Sequence, residues 1–117
     1  MGKVAFVVNG SENSNIYPPF ILGSAAAAAG DEVVYFFTPG AASLLKPGVL
    51  EGISGKGLSP MSELLTGLKS LGARMILCEL ALEAKGLTPA ELRDDIEIAG
   101  ATSFMSEIRD ATNTFSF

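Results

Sequence analysis

The 117-residue chain has no histidine, no tryptophan and a single cysteine, Cys78. Each absence removes a class of chemistry. Without histidine there is no Ser-His-Asp or Cys-His nucleophile pair, no imidazole acid–base catalyst and no His-based metal site. One cysteine cannot close an internal disulfide, nor can it build a multi-cysteine zinc or iron–sulfur site within one chain. Without tryptophan there is no base-stacking platform on indole anchors. Basic residues are few, 8 against 13 acidic, and the formal charge is −5. Binding a nucleic acid needs clustered cations to displace counterions, so no nucleic-acid partner is expected. No apolar run approaches the roughly 18 residues of a membrane span, so no membrane partner is expected either. The apolar run at residues 4–8 is too short for a signal-peptide core, and Phe6 stands where myristoylation would want Ser or Thr. The resulting expectation is a soluble cytoplasmic protein whose thiol stays reduced.

What is present is apolar: 48% of residues are hydrophobic and 18% charged. A chain of this length suits one domain, residues 1–117, with enough core to fold alone. So much apolar surface on so small a chain predicts a homo-oligomer.

Residues 4–8 and 33–37 are continuous apolar runs closed by turn residues, the pattern of strands buried on both faces, and residues 74–78, apolar after Arg74, predict a third strand. Residues 96–99 predict a shorter strand, and residues 114–117 a last strand or a docked tail. Between them, helices are predicted from Tyr17 or Pro18 to Ala29, over residues 60–71 with Ser59 as cap, over 79–85, and over 102–111. Residues 11–15 are read as a polar loop, and the alanines of 25–29 as small enough to lie close to a sheet. Met61, Leu64, Leu65, Leu68 and Leu71 recur at helical spacing and predict one inward stripe. Thr88 and Glu91 have capping-box spacing. Strands alternating with helices predict an α/β protein, a three-layer α/β/α sandwich on a mostly parallel sheet of about five strands.

Ligands in such folds sit beyond the carboxyl ends of the strands. Those ends carry Asn9, Gly10, Thr38, Cys78 with Glu79, and Gly100, so the only thiol falls in the expected site. A helix start after Cys78 favours a thiolate, and the adjacent Glu79 opposes it. Cys78 is read either as a reactive thiol or as a small buried hydrophobe. The glycine-rich residues 47–59 match no phosphate-binding spacing and are read as a mobile loop over the strand ends. Asp94, Asp95 and Glu97 lack the ligand spacing of a cation site and are read as a solvated turn.

The second half resembles the DsrE/DsrF-like sulfur-relay family. The resemblance is carried by Gly57-Leu58-Ser59-Pro60-Met61 with Glu63-Leu64-Leu65, and by Ile76-Leu77-Cys78-Glu79. Further matches are Gly86-Leu87 and Ile96-Glu97-Ile98-Ala99-Gly100-Ala101 before Phe104. It implies a small α/β/α protein that assembles into dimers, trimers or hexamers, and a trimer or hexamer is the expectation for this chain. It also implies that Cys78, matching the family's sulfur-bearing cysteine, carries sulfur as a persulfide between a donor and an acceptor protein. That chemistry needs an accessible thiolate and no cofactor or metal. The competing expectation is a non-enzymatic ligand-binding or scaffold protein of the same fold, with Cys78 structural.

Overall fold

The structure, a computed structural model, describes residues 1–117. Five strands form one sheet: β1 (Lys3–Val8), β2 (Glu32–Phe37), β3 (Arg74–Cys78), β4 (Glu97–Ala99) and β5 (Asn113–Ser116). Every pairing is parallel, and the order across the sheet is β4-β3-β2-β1-β5. The helices are α1 (Asn13–Ala28), α2 (Met61–Ser70), α3 (Leu80–Ala84) and α4 (Ala101–Glu107), with 3-10 turns at Pro39–Leu45, Leu50–Gly52 and Pro89–Glu91.

The pleat of each strand sends alternate side chains to opposite faces. Val4, Phe6, Val8, Val33, Tyr35, Phe37, Met75 and Leu77 build the larger core with α1, α2 and α3. Ala5, Val34, Phe36, Ile76 and Cys78 point the other way and are covered by Phe104 of α4. Handedness explains the split. From β1 to β4 the chain steps in one direction across the sheet, and from β4 to β5 it steps back past all of them. Parallel crossovers are right-handed, so the return must cross the opposite face. The second helical layer is therefore the single seven-residue α4.

An aromatic stack runs through the larger core. Phe115 lies on Phe6, Phe6 on Tyr35 and Tyr35 on Phe20, with ring centroids 5.5, 5.2 and 4.5 Å apart. The Tyr35 hydroxyl donates to the Pro19 carbonyl at 2.9 Å.

Several expectations are corrected. Residues 11–15 are not all loop, because α1 begins at Asn13. Asn15 Oδ1 accepts the Glu12 N–H at 3.3 Å, which caps the helix before the prolines are reached. Pro18 and Pro19 then stand in the second turn, where their missing N–H groups leave the Ser14 and Asn15 carbonyls without their usual helical donors. Of the alanines in residues 25–29, Ala27 is buried and Ala26 half-buried, while Ala25, Ala28 and Ala29 face outward. Pro60, not Ser59, occupies the cap position of α2, and Leu71 lies past its end, exposed. Residues 47–59 contain a 3-10 turn whose Leu50 is fully buried. The Tyr17 hydroxyl lies 3.2 Å from the Ser59 carbonyl, and Arg93 bonds Glu51, so that loop is tied to the body within its length and at its far end.

Asp94 and Asp95 form a turn with Asp94 exposed, as read, and the cluster is also ion-paired. Asp95 bonds Arg93 and Lys69, and that pairing, chiefly with Arg93, pulls its carboxyl down to about 2. Glu97 instead joins Arg74, which also holds Glu107 of α4. The Thr88–Glu91 box forms as expected, with Glu91 Oε1 accepting the Thr88 N–H and hydroxyl at 3.0 Å each.

Candidate functional site

Cys78 is the last residue of β3, paired in register with Ala99, the last residue of β4. The Glu79 N–H continues the ladder to the Ala99 carbonyl at 2.9 Å. Beyond this point the two chains part. α3 packs Ala81 into the larger core, and α4 packs Phe104 into the smaller one. Neighbouring strands whose helices leave to opposite faces define the switch point of an open α/β sheet, where ligand crevices form. Here that point holds Cys78, Glu79 and Gly100, so topology brings together three of the sequence-predicted residues.

The other three lie further along the same edge. By strand alternation, Thr38 and Asn9 continue a row from Cys78 across β2 and β1, at roughly 5 Å per strand. The Thr38 hydroxyl donates to Asn9 Oδ1 at 2.7 Å. Gly10 has a packing role: a Cβ there would come within 2.6 Å of Asn15 Oδ1, the atom that caps α1.

The thiol is covered. Cys78 is 4% exposed, in a cluster with Ile76, Phe36 and Phe104. Phe104 stacks on Phe36 with centroids 4.2 Å apart and is itself buried. Next to the thiol in sequence, Glu79 and Leu80 are exposed. The Glu79 carboxylate turns toward Gly100, where a Cβ would stand 2.8 Å from Oε1. The helix that follows Cys78 is therefore on the far side of the sheet from the thiol. The arrangement provides a sulfur nucleophile under an apolar lid of one short helix, with an exposed edge beside it.

Phe104 is the site residue that sequence reasoning missed. It was legible as an inward residue of its helix, and its place four residues after Gly100 hinted at proximity to the strand ends. What it covers depends on the return crossover, which hydropathy patterning does not encode.

Beside α4 the sheet is bare. A groove of about 610 Å³ runs between Val7, Thr114 and Ser116 of β1 and β5 and the Phe104, Met105 and Ile108 side of α4. No helix of the structure is long and apolar enough to cross a membrane.

The fold has close counterparts among solved structures. The ychN protein from E. coli superposes with a TM-score of 0.76 over 100% of both chains, at 18% identity. A protein of unknown function from Methanobacterium thermoautotrophicum does so with a TM-score of 0.75, covering 98% of this chain and 99% of its own, at 12% identity. At these identities the likeness is one of fold. In sequence, the sulfur carrier protein DsrE2 of Allochromatium vinosum is 29% identical, over 87% of this chain and 89% of that protein. An uncharacterized protein of Methanocaldococcus jannaschii is 25% identical over 86% of this chain, which spans 38% of its length. The sequence model of the DsrE/DsrF-like family matches residues 2–117, and with the sheet order and strand-end cysteine already described, the chain belongs to that family.

Proposed function

We propose that this protein is a sulfur-relay carrier that holds sulfur as a persulfide on Cys78 and passes it to a partner protein. The observation that carries the reading is the position of Cys78 at the switch point of the sheet, beside the exposed Glu79 and Leu80. Family membership and the relative named a sulfur carrier support it.

The chemistry balances without a cofactor. The Cys78 thiolate attacks the outer sulfur of a donor persulfide. A new S–S bond forms on Cys78, the donor's S–S bond breaks, and the donor leaves as a thiolate. An acceptor thiolate then attacks the outer sulfur, and Cys78 is released as a thiolate. No net oxidation occurs, and the proton stays with whichever thiol is free. The lid of α4 must lift for either attack, since a buried sulfur cannot align with an incoming one. A covered thiol also shields the persulfide from water and stray thiols between encounters.

Intact-mass measurement after incubation with a persulfide donor tests the reading. The wild type is expected to gain one sulfur atom, and Cys78→Ser none. A wild-type chain that stays unloaded while folded would end the proposal. The burial of Cys78 among apolar side chains favours one other reading, a ligand-binding or scaffold protein with a structural cysteine. That reading expects no loading and no alkylation until the chain unfolds.

A further inference from the structure

Four of the eight basic side chains are committed to carboxylates. Lys3 meets Glu32 and Asp110, Lys69 meets Asp95, Arg74 meets Glu97 and Glu107, and Arg93 meets Glu51 and Asp95. Lys46, Lys56, Lys85 and Arg109 form no ion pair, although acidic groups outnumber basic ones 13 to 8. Two of these four, Lys46 and Lys85, line the same cleft.

That cleft holds about 200 Å³ and is walled by Pro39, Gly40, Ser43, Lys46, Lys85 and Leu87. Lys46 follows the 3-10 turn after β2, and Lys85 follows α3 after β3, so the two are brought together at the carboxyl ends of adjacent strands. This is the end of an open α/β sheet where ligands bind. It is also a different place from the thiol. The cleft lies among elements packed on the larger core, and Cys78 points into the smaller one.

The walls define what fits. Beyond Leu87 and the Pro39 ring the walls are not hydrophobic, so an apolar ligand has little to pack on. The volume is below the roughly 300–1,000 Å³ of pockets for drug-sized ligands. Two ammonium groups and the Ser43 hydroxyl offer several hydrogen-bond donors, and ammonium–oxyanion bonds are among the stronger ones. One carboxylate, Glu91, lies close enough to Lys46 to oppose an anion, and it is shared with its own cap. Glu91 has its oxygen engaged by the Thr88 N–H and hydroxyl, which hold it below the usual carboxylate range, with Lys46 adding a smaller pull in the same direction. Gly40 keeps the cleft floor in place, because a Cβ there would stand 2.6 Å from the Asn9 carbonyl oxygen.

We propose that the Lys46–Lys85 cleft is a binding site for a small, doubly charged tetrahedral oxyanion. On a chain of net charge −5, a locally positive cleft is where such an ion finds a favourable potential. Sulfate, phosphate and thiosulfate share this chemistry, and a preference among them separates a sulfur-bearing ligand from a general oxyanion.

The test is titration of the isotope-labelled full chain with sodium thiosulfate, sodium sulfate and sodium phosphate, each at ionic strength held constant with chloride. Backbone amide shifts at Gly40, Ser43, Lys46 and Leu87 should move and saturate, with a Kd on the order of 1 mM. In Lys46→Gln/Lys85→Gln the Kd should rise at least about tenfold, while amide positions elsewhere stay native. Thiosulfate binding clearly tighter than sulfate or phosphate marks a sulfur-oxyanion site, and equal binding marks a general one. Shifts that grow linearly without saturating, or that persist in the double variant, overturn the proposal. Cys78→Ser should bind the anion as the wild type does, so a failure of sulfur loading and a failure of this site are read separately.

Discussion

Gly23 is the residue on which the larger core turns. It lies on the buried side of α1 where the Tyr35 ring reaches the helix, and a Cβ there would come within 1.9 Å of the Tyr35 hydroxyl oxygen. The ring cannot withdraw, because it is stacked between Phe6 and Phe20, and its hydroxyl is bonded to the Pro19 carbonyl. Burial pushes the Tyr35 phenol well above its ordinary pKa, so it remains a donor throughout the stable range. Gly23→Ala is expected to cost about 2–4 kcal/mol in urea denaturation, by overpacking and by displacing that hydrogen bond. Tyr35→Phe should cost about 1–2 kcal/mol, for the carbonyl partner lost. The double variant should lose less than the two together, since the hydroxyl that collides with the added methyl group is gone. Strict additivity would show that the two residues do not meet.

Among the elements, α4 has the least structure behind it. Its carboxyl end is pinned, with Glu107 bonded to Arg74 and close to Lys3. Its amino end, next to Cys78, is held by Phe104 on Phe36 and by the turn at Gly100, with no ion pair. A short helix fixed at one end and packed through one aromatic residue is suited to opening locally, without the rest of the sheet. Phe104→Ala removes about 3 kcal/mol of packing, most of it from the docked state of α4. Alkylation of Cys78 by iodoacetamide should then quicken by about a hundredfold. In the wild type, the same rate should depend weakly on urea below the unfolding transition. A rate that follows global unfolding in both proteins would show that α4 does not open alone.

At the scale of the whole molecule, two surfaces lack the polar cover of a free monomer. From Ile16 to Ala28, α1 has no charged residue, and Ile21, Leu22, Ala25 and Ala28 face outward. A helix apolar on all sides is normally buried on all sides. On the other face, α4 leaves β1 and β5 uncovered beside Met105, which is 59% exposed. Parallel sheets are ordinarily covered on both faces, so self-association would complete this one. Light scattering at micromolar concentration is expected to give an oligomer, a trimer or hexamer. Ile21→Glu/Leu22→Glu should lower the mass toward that of one chain if α1 is the contact, with the circular dichroism spectrum unchanged. A monomeric wild type would contradict the expectation.

Local patterning alone determined much of this protein. The apolar runs are strands because continuous hydrophobicity over five or six residues, closed by turn residues, suits a strand buried on both faces. β3 ends at Cys78 as read, and glycines at 30, 72 and 86 take positive φ as stops after α1, α2 and α3. The thiol's position at a strand's carboxyl end was therefore legible. Other features depend on residues far apart in the chain, or on local contests that patterning does not rank. The start of α1 is set by the Glu12–Asn15 cap, which outweighs two prolines, and Leu71 is exposed because α2 ends one residue before it. The direction in which the Cys78 thiol points, and the helix that covers it, follow from the return of the chain from β4 to β5 across the second face. The placing of Lys46 and Lys85 on one cleft follows from the pairing of β2 with β3. Hydropathy and turn chemistry act over a few residues and are written in them. Crossover faces and strand order arise when the whole sheet assembles, so tertiary structure alone decides which of the legible residues become neighbours.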